Sequence, residues 1–208
     1  MGIAAMAERE ATDALASAPD AELVLRAREE PSGPPFETLY ERHRGDVFRY
    51  LLRIVSEREL AEDLVQDTFL RIYENLDRFD ATRAFRPWLY QIARNTALNA
   101  VRARRLKEKA SGDLPERAAS DRVAAQVETG DAVSKARTAL AALEDEERAL
   151  LVERVGLGMK MSELAESLGV TERTVRNRLD AAIDRLTRAF LGKSGGTGAE
   201  PTNPKGGA

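Results

Sequence analysis

Met161-Ser-Glu-Leu-Ala-Glu-Ser-Leu-Gly-Val-Thr-Glu-Arg-Thr-Val-Arg-Asn-Arg-Leu179 reads as two short helices joined by a tight turn. Ser162 is placed to cap the first helix, which buries Leu164, Ala165 and Leu168. Gly169 supplies the turn, because a residue without Cβ reaches positive φ at little cost. Val170 plugs the angle between the helices. Thr171 caps the second helix, whose core side is Val175, Leu179, Ala182, Ile183 and Leu186. Arg173, Arg176, Asn177, Arg178 and Asp180 are left on its outward, N-terminal part. In a helix-turn-helix that part enters the major groove. There arginine pairs with guanine and asparagine with adenine, at ~1–3 kcal/mol of discrimination per good pair. An ordinary helical hairpin with a polar face has the same apolar period. The spacing of Ala165, Gly169 and Val170 beside so many basic groups favours DNA.

Upstream, residues 107–130 carry small, scattered apolar residues and the breakers Ser111-Gly-Asp-Leu-Pro115 and Thr129-Gly130. They read as a linker with a short helix near residues 121–127. Val133, Ala136, Leu140 and Leu143 form a helix beyond it. Asp145 is placed to cap the next, which runs through Leu150, Leu151 and Val155. After Leu191 the Gly-rich tail, residues 192–208, has the composition of disorder, as does the Ala-rich start, residues 1–19.

The first half is also helical. Asp20 is placed as the N-cap of a helix over residues 21–29, ended by Pro31-Ser-Gly-Pro-Pro35. From Asp46 to Ser111 there is no glycine and one proline, Pro87, which fits the first turn of a helix. Apolar residues recur at three- and four-residue steps, and no strand-like alternation persists. The fold class expected is all-α: two small helical domains, residues 20–106 and 131–191, joined by a flexible linker.

Composition narrows the chemistry. The 208 residues contain no cysteine and one histidine, His43. Disulfides, thiolate zinc and a cysteine nucleophile are excluded, and a histidine metal cluster or serine triad is disfavoured. The expectation is no enzyme activity, no metal and no cofactor. No run of residues is apolar enough to span a bilayer. The N-terminus lacks the pattern of a signal peptide, so a cytoplasmic protein is expected.

The net charge of −3 conceals two opposite segments. Residues 57–80 hold eight acids against Arg58, Arg71 and Arg78; residues 83–109 hold eight bases against Glu108. The acidic segment includes Glu62-Asp-Leu-Val-Gln-Asp-Thr-Phe-Leu-Arg-Ile-Tyr73. In it Asp63, Gln66, Asp67, Leu70 and Glu74 share one helical stripe, with Ala61, Leu64, Val65, Thr68 and Ile72 on the other side. Such a stripe is either a solvated face or a protein-docking face. The basic segment opens with a loop, residues 77–86, holding two aromatics and three arginines. A helix follows, with Gln91, Arg94, Asn95, Leu98, Asn99 and Arg102 near one side. Rings in a basic loop beside an amide-rich face suit single-stranded DNA. Phe79 and Phe85 read equally well as core, and Trp88 reads better as core.

The strings Phe36-Glu-Thr-Leu-Tyr40, Ala61-Glu-Asp-Leu-Val-Gln-Asp-Thr-Phe69 and Phe85-Arg-Pro-Trp-Leu-Tyr-Gln-Ile-Ala-Arg-Asn-Thr96, followed by the helix-turn-helix, resemble the extracytoplasmic-function sigma factors of bacterial RNA polymerase. The resemblance covers roughly residues 20–190. It implies that region 2 docks on the clamp helices of the largest polymerase subunit through Asp63, Gln66, Asp67, Leu70 and Glu74. It also implies that the melted strand of the minus-10 element is held by Phe79, Asp80, Arg83, Phe85, Arg86, Gln91, Arg94, Asn95, Asn99 and Arg102. Region 4 would read the minus-35 duplex through Thr171, Arg173, Arg176, Asn177 and Arg178. The partners implied are core polymerase at its clamp helices and flap region, promoter DNA and an anti-sigma factor, with no membrane insertion. Thr171-Glu-Arg-Thr-Val175 departs from the family's frequent Pro-x-Gly-Thr-Val, and Asp180 and Ala181 stand where aromatic or basic residues are common. A dimeric helix-turn-helix repressor or activator and a helical adaptor are the alternative readings.

Overall fold

The computed structural model describes residues 13–111 and 138–191. Among them there are helices and turns and no strand. The first unit is built from α1 (Asp20–Glu29), α2 (Pro34–Val55), α3 (Arg58–Glu74), a tight turn of helix at Leu76–Arg78, and α4 (Phe85–Ser111). The second holds α5 (Asp145–Leu151), a wider helical turn at Val152–Gly156, α6 (Met161–Leu168) and α7 (Glu172–Phe190).

Local signals account for these limits, with three corrections. Asp20 does not cap α1: the N-cap is Pro19, and the Asp20 carboxylate instead accepts from Arg42 Nη1 at 2.5 Å and meets His43 Nε2 at 2.9 Å. The acid is worth more across to α2, where Arg42 and His43 both reach it. Ser162 and Asp145 are likewise inside their helices, while Lys160 and Glu144 stand at the N-caps. Glu163 and Glu147 reach back to accept from those two backbone N–H groups at 2.6 and 3.0 Å. A carboxylate three residues into a helix satisfies an otherwise orphaned donor. By contrast, Thr171 caps α7 as expected, its hydroxyl accepting from Thr174 N at 3.2 Å.

Two expectations about segment ends also change. Residues 13–17 form a helical turn, with Leu15 and Ala18 packed on the core. Arg42 donates to the carbonyls of Ala16 and Ala18 at 2.9 and 3.0 Å. The disorder read for residues 1–19 therefore fails over residues 13–19. At the other end of the unit, α4 continues through residues 107–111, read as linker, because nothing before Gly112 breaks the helix. The expected helix near residues 121–127, Val133, Ala136 and the tail lie outside the described residues.

The core is continuous across both units. Tyr50 of α2 and Tyr90 of α4 meet edge-to-face at 5.2 Å, both buried, and the same apolar cluster takes in Val152, Met159, Leu164 and Val175. Arg148 ties α5 to the end of α2 by donating to Ile54 O at 3.2 Å, and burial lowers its pKa. At the Val152–Gly156 turn the chains approach so closely that a Cβ on Gly156 would collide with the Arg53 guanidinium. The two expected helical units are present and pack together, with α4 against α5 and α6.

Candidate nucleic-acid interface

On α3 the amphipathic reading holds residue by residue. Ala61, Leu64, Val65, Thr68, Phe69 and Ile72 are buried, and the Thr68 hydroxyl is satisfied by Leu64 O at 2.6 Å. Asp63, Gln66, Asp67, Leu70 and Glu74 are all exposed on the opposite stripe. Leu70 is 55% exposed, an apolar centre in a carboxylate-rich surface. A large apolar group surrounded by fixed charge is a common feature of protein interfaces.

The loop before α4 is held from below. Phe79 and Phe85 are buried, and with Trp88 they form a three-ring cluster whose centroids lie 5.1–5.8 Å apart. The face-on stacking of a base on Phe79 or Phe85 is therefore not available in this arrangement; both rings belong to the core. Their equal standing between core and surface in the sequence is resolved in favour of the core: both join the apolar cluster that holds Leu76 and Leu89, and His43 lies 5.4 Å from Phe85. Arg28 of α1 pins the same loop, donating from Nε to Leu76 O at 2.9 Å and from Nη2 to Phe79 O. Above this floor residues 80–84 form an exposed turn. Asp80 Oδ1 accepts from the amide and hydroxyl of Thr82 at 3.0 and 2.7 Å, which hold its carboxyl below the ordinary range.

Along α4 the expected polar side splits in two. Gln91, Asn95 and Asn99 are exposed at i, i+4 and i+8, one stripe of amides. Arg94 and Leu98 are buried instead. Arg94, 5% exposed, donates from Nε to Glu153 Oε1 at 2.9 Å, and from Nη2 to Glu153 Oε2 at 2.5 Å and Ser167 Oγ at 2.8 Å. Tyr50 completes the group, its hydroxyl donating to Glu153 Oε1 at 2.8 Å. Burial pushes the Glu153 carboxyl up, against the pull of Arg94 and Tyr50. Burial also disfavours the Arg94 cation, but Glu153 more than offsets this and raises its pKa. The Tyr50 hydroxyl is raised well above its ordinary value by burial and the Glu153 charge.

The other arginines of the set face the second unit too. Arg86 donates to Leu157 O at 2.5 Å, Arg102 meets Glu146 at 2.7 Å, and Arg83 lies 3.8 Å from Glu166. Arg105 pairs with Asp145 at 2.8 Å. Of the arginines expected to face DNA, Arg94 is buried on Glu153 and Arg86 is half-buried on Leu157 O, while Arg83 and Arg102 remain exposed beside their acidic neighbours. Sequence reading also missed Tyr50, Ser167, Arg28 and Glu153. Only Glu153 left a signal, as a lone acid closing the apolar run Leu150-Leu151-Val152.

In the second unit Gly169 takes φ +64°, and Val170 N donates back to Ala165 O at 3.0 Å, closing α6. Thr171, Arg173, Arg176, Asn177 and Arg178 are exposed together, while Val175, Leu179 and Ala182 are buried. Ile183 was expected in that core and is 47% exposed, because it sits a step around the helix from Ala182. Among the described residues no cluster is arranged to hold a metal.

Two helical units, one with an acid–amide surface and one with a helix-turn-helix, define a transcription-initiation class, and the comparisons agree. A family model described as sigma-70 region 2 matches residues 39–107, and one described as sigma-70, region 4 matches residues 134–186. The chain is 32% identical over 161 residues to the ECF RNA polymerase sigma factor SigL of Mycobacterium tuberculosis, covering 74% of this chain and 89% of that protein. It is 36% identical over 155 residues to SigM of the same species, covering 74% and 76%. Among solved structures, the sigma factor RpoE of Bartonella quintana, in complex with the anti-sigma factor NepR, matches with a TM-score of 0.60 at 22% identity, over 76% of this chain and 98% of that one. CnrH, in complex with the cytosolic domain of CnrY, matches at 0.59 and 26% identity, over 83% and 96%. The chain belongs to the extracytoplasmic-function sigma factors of the sigma-70 family, DNA-binding proteins of transcription initiation.

Proposed function

We propose that this sigma factor reads both promoter elements and opens the DNA by trapping one strand. The exposed ladder of Gln91, Asn95 and Asn99, directly after the exposed turn at residues 80–84, is the observation that carries this reading. Amides spaced by one helical turn meet the edges of unstacked bases, while arginines hold the phosphates between them. Each unstacked base costs a few kcal/mol, offset by contacts that exist only for the open strand. Thr171, Arg173, Arg176, Asn177 and Arg178 read the minus-35 element as duplex. Asp63, Gln66, Asp67, Leu70 and Glu74 dock on the clamp helices of core polymerase, and region 4 rests at the flap. The chain makes and breaks no bond. An anti-sigma factor as partner is supported by the solved RpoE structure, a complex with the anti-sigma factor NepR.

Run-off transcription with core polymerase tests the reading. The chain is expected to confer initiation at defined start sites. Asp67→Lys abolishes association in a pull-down, and Asn95→Ala lowers open-complex yield while leaving closed-complex recruitment intact. Binding to an intact palindrome as a twofold dimer, without polymerase-dependent initiation, overturns it.

A further inference from the structure

The charged side chains of α7 divide into those the chain itself engages and those it leaves open. Arg185 meets Glu144 and Glu147, at the start of α5, both at 3.3 Å, and Arg188 donates from Nε to Asp184 O at 3.3 Å. Arg173, Arg176 and Arg178 make no hydrogen bond or ion pair with any described residue. Among the acids, Glu172 stands in the first turn, where the helix dipole favours a negative charge. Asp180 lies beyond that turn, exposed, and has no partner among the described residues, although Arg176 stands four residues before it. Aspartate in a helix interior is a poor helix former, because its short polar side chain competes for the backbone. Among the described residues nothing offsets this. Arg173, Arg176, Asn177 and Asp180 fall at i, i+3, i+4 and i+7, so the carboxylate sits on the stripe of α7 that carries the duplex-reading residues.

A carboxylate on such a stripe is repelled by phosphates and needs a donor on the DNA. Ionised, it can only accept hydrogen bonds. The base edges in the major groove answer it differently. Guanine offers the acceptors N7 and O6, and thymine offers O4 and a methyl group. Adenine offers the N6 amine, but with the acceptor N7 beside it. Cytosine offers its N4 amine with no acceptor next to it. We propose that Asp180 reads a cytosine, accepting from its exocyclic amine, and so sets a cytosine preference at one position of the upstream duplex. The assignment rests on α7 entering the major groove, the reading given above for the minus-35 element. Asn177 and Asp180 stand about 4.5 Å apart along the helix axis, little more than one base step of about 3.4 Å. The cytosine therefore belongs to the base pair beside the one that Asn177 meets. Asp184, also exposed, lies one turn further towards the C-terminus, away from the end of α7 that reaches the bases.

Holoenzyme assembled from core polymerase and the full chain tests this on a DNA library. The upstream duplex is randomised, and the downstream promoter, mapped from transcript 5′ ends, is fixed. Sequencing the retained DNA gives the base preference at each position. The parent should prefer cytosine about tenfold at one position, next to the position that Asn177→Ala flattens. Asp180→Ala should reduce that preference to within about twofold and leave the other positions alone. Asp180→Asn should move it to adenine, since an amide pairs with N6 and N7 together. Asp184→Asn removes the same charge one turn away and should keep the parent's profile. Loss of a negative charge strengthens binding to every duplex alike, so the profile, not the affinity, is the readout. An Asp180→Ala profile equal to the parent's, or the same change of profile in Asp184→Asn, overturns the cytosine assignment. Where Asn177→Ala flattens a position and Asp180→Ala flattens none, α7 still reads duplex and the assignment of Asp180 alone falls. A parent holoenzyme with no upstream base preference overturns the reading of α7 itself.

Discussion

Arg28→Ala removes one side chain from α1 and is expected to disable a loop fifty residues away. Arg28 donates to Leu76 O at 2.9 Å and to Phe79 O, the two carbonyls that bracket the Leu76–Arg78 turn. Hydrogen bonds involving a charged group contribute ~1.5–3 kcal/mol each. Arg28 is half-buried, so the lower end applies, ~2–3 kcal/mol for the pair. If the loss falls on the turn alone, ~2 kcal/mol shifts its ratio of formed to unformed states about thirtyfold. Phe79 then loosens from Phe85 and Trp88, and residues 80–84 lose their floor. Urea unfolding measures the total. Permanganate footprinting of holoenzyme, on a promoter mapped from transcript 5′ ends after overexpression, measures strand opening, and a pull-down measures docking. Open complex should fall at least tenfold with docking unchanged. Arg28→Lys, with a single point charge for two carbonyls, should restore only part. A variant that loses its ~2–3 kcal/mol in urea yet opens DNA like the parent refutes the positioning role and leaves Arg28 a packing residue.

Three other outcomes are expected. Arg94→Met should destabilise the chain by ~3–5 kcal/mol in urea, because Glu153 is left charged and buried, while adding Glu153→Leu should recover most of it; equal losses in the single and double variants would remove the coupling. Burial opposes the Asp20 charge, but His43 and Arg42 outweigh it and lower the folded pKa below the ordinary 3.8. Its contribution is therefore complete above that value and lost as pH falls through the folded pKa, so parent and Asp20→Asn should differ in melting temperature at pH 6 and converge near pH 2; a constant difference refutes it. Gly169→Ala meets no atom within 4 Å but holds φ at +64°, so melts should show a cost of ~1–2 kcal/mol from backbone strain alone.

How far the sequence carries depends on the range of the interaction. Period and caps act within a turn or two, and they located α3, the Pro87 start of α4, the Gly169 turn and the Thr171 cap. The exposed stripes at Asp63–Gln66–Asp67 and at Arg176–Asn177–Arg178 follow from the same period, since the buried sides are unambiguous. Arg94 defeats this logic: it sits beside Asn95 in a polar run, and only a partner 59 residues further along the chain explains its burial. Asp20 likewise leaves the cap for a partner in α2. A cap and a cross-helix ion pair make the same demand on residue type, so one sequence does not separate them.

The charge pattern now has a physical account. A segment as basic as residues 83–109 would bind any polyanion if it stood free, which would hold a sigma factor on duplex DNA far from polymerase. The overall charge of −3 does not prevent that, because binding responds to the local field within about 10 Å at moderate salt. What prevents it is placement. Asp145, Glu146, Glu153 and Glu166 lie against the arginines themselves, while Asp63, Asp67 and Glu74 on α3 stay exposed. The two acid groups differ in placement despite the same sign of charge. One is consumed by the chain's own cations; the other is free for a partner.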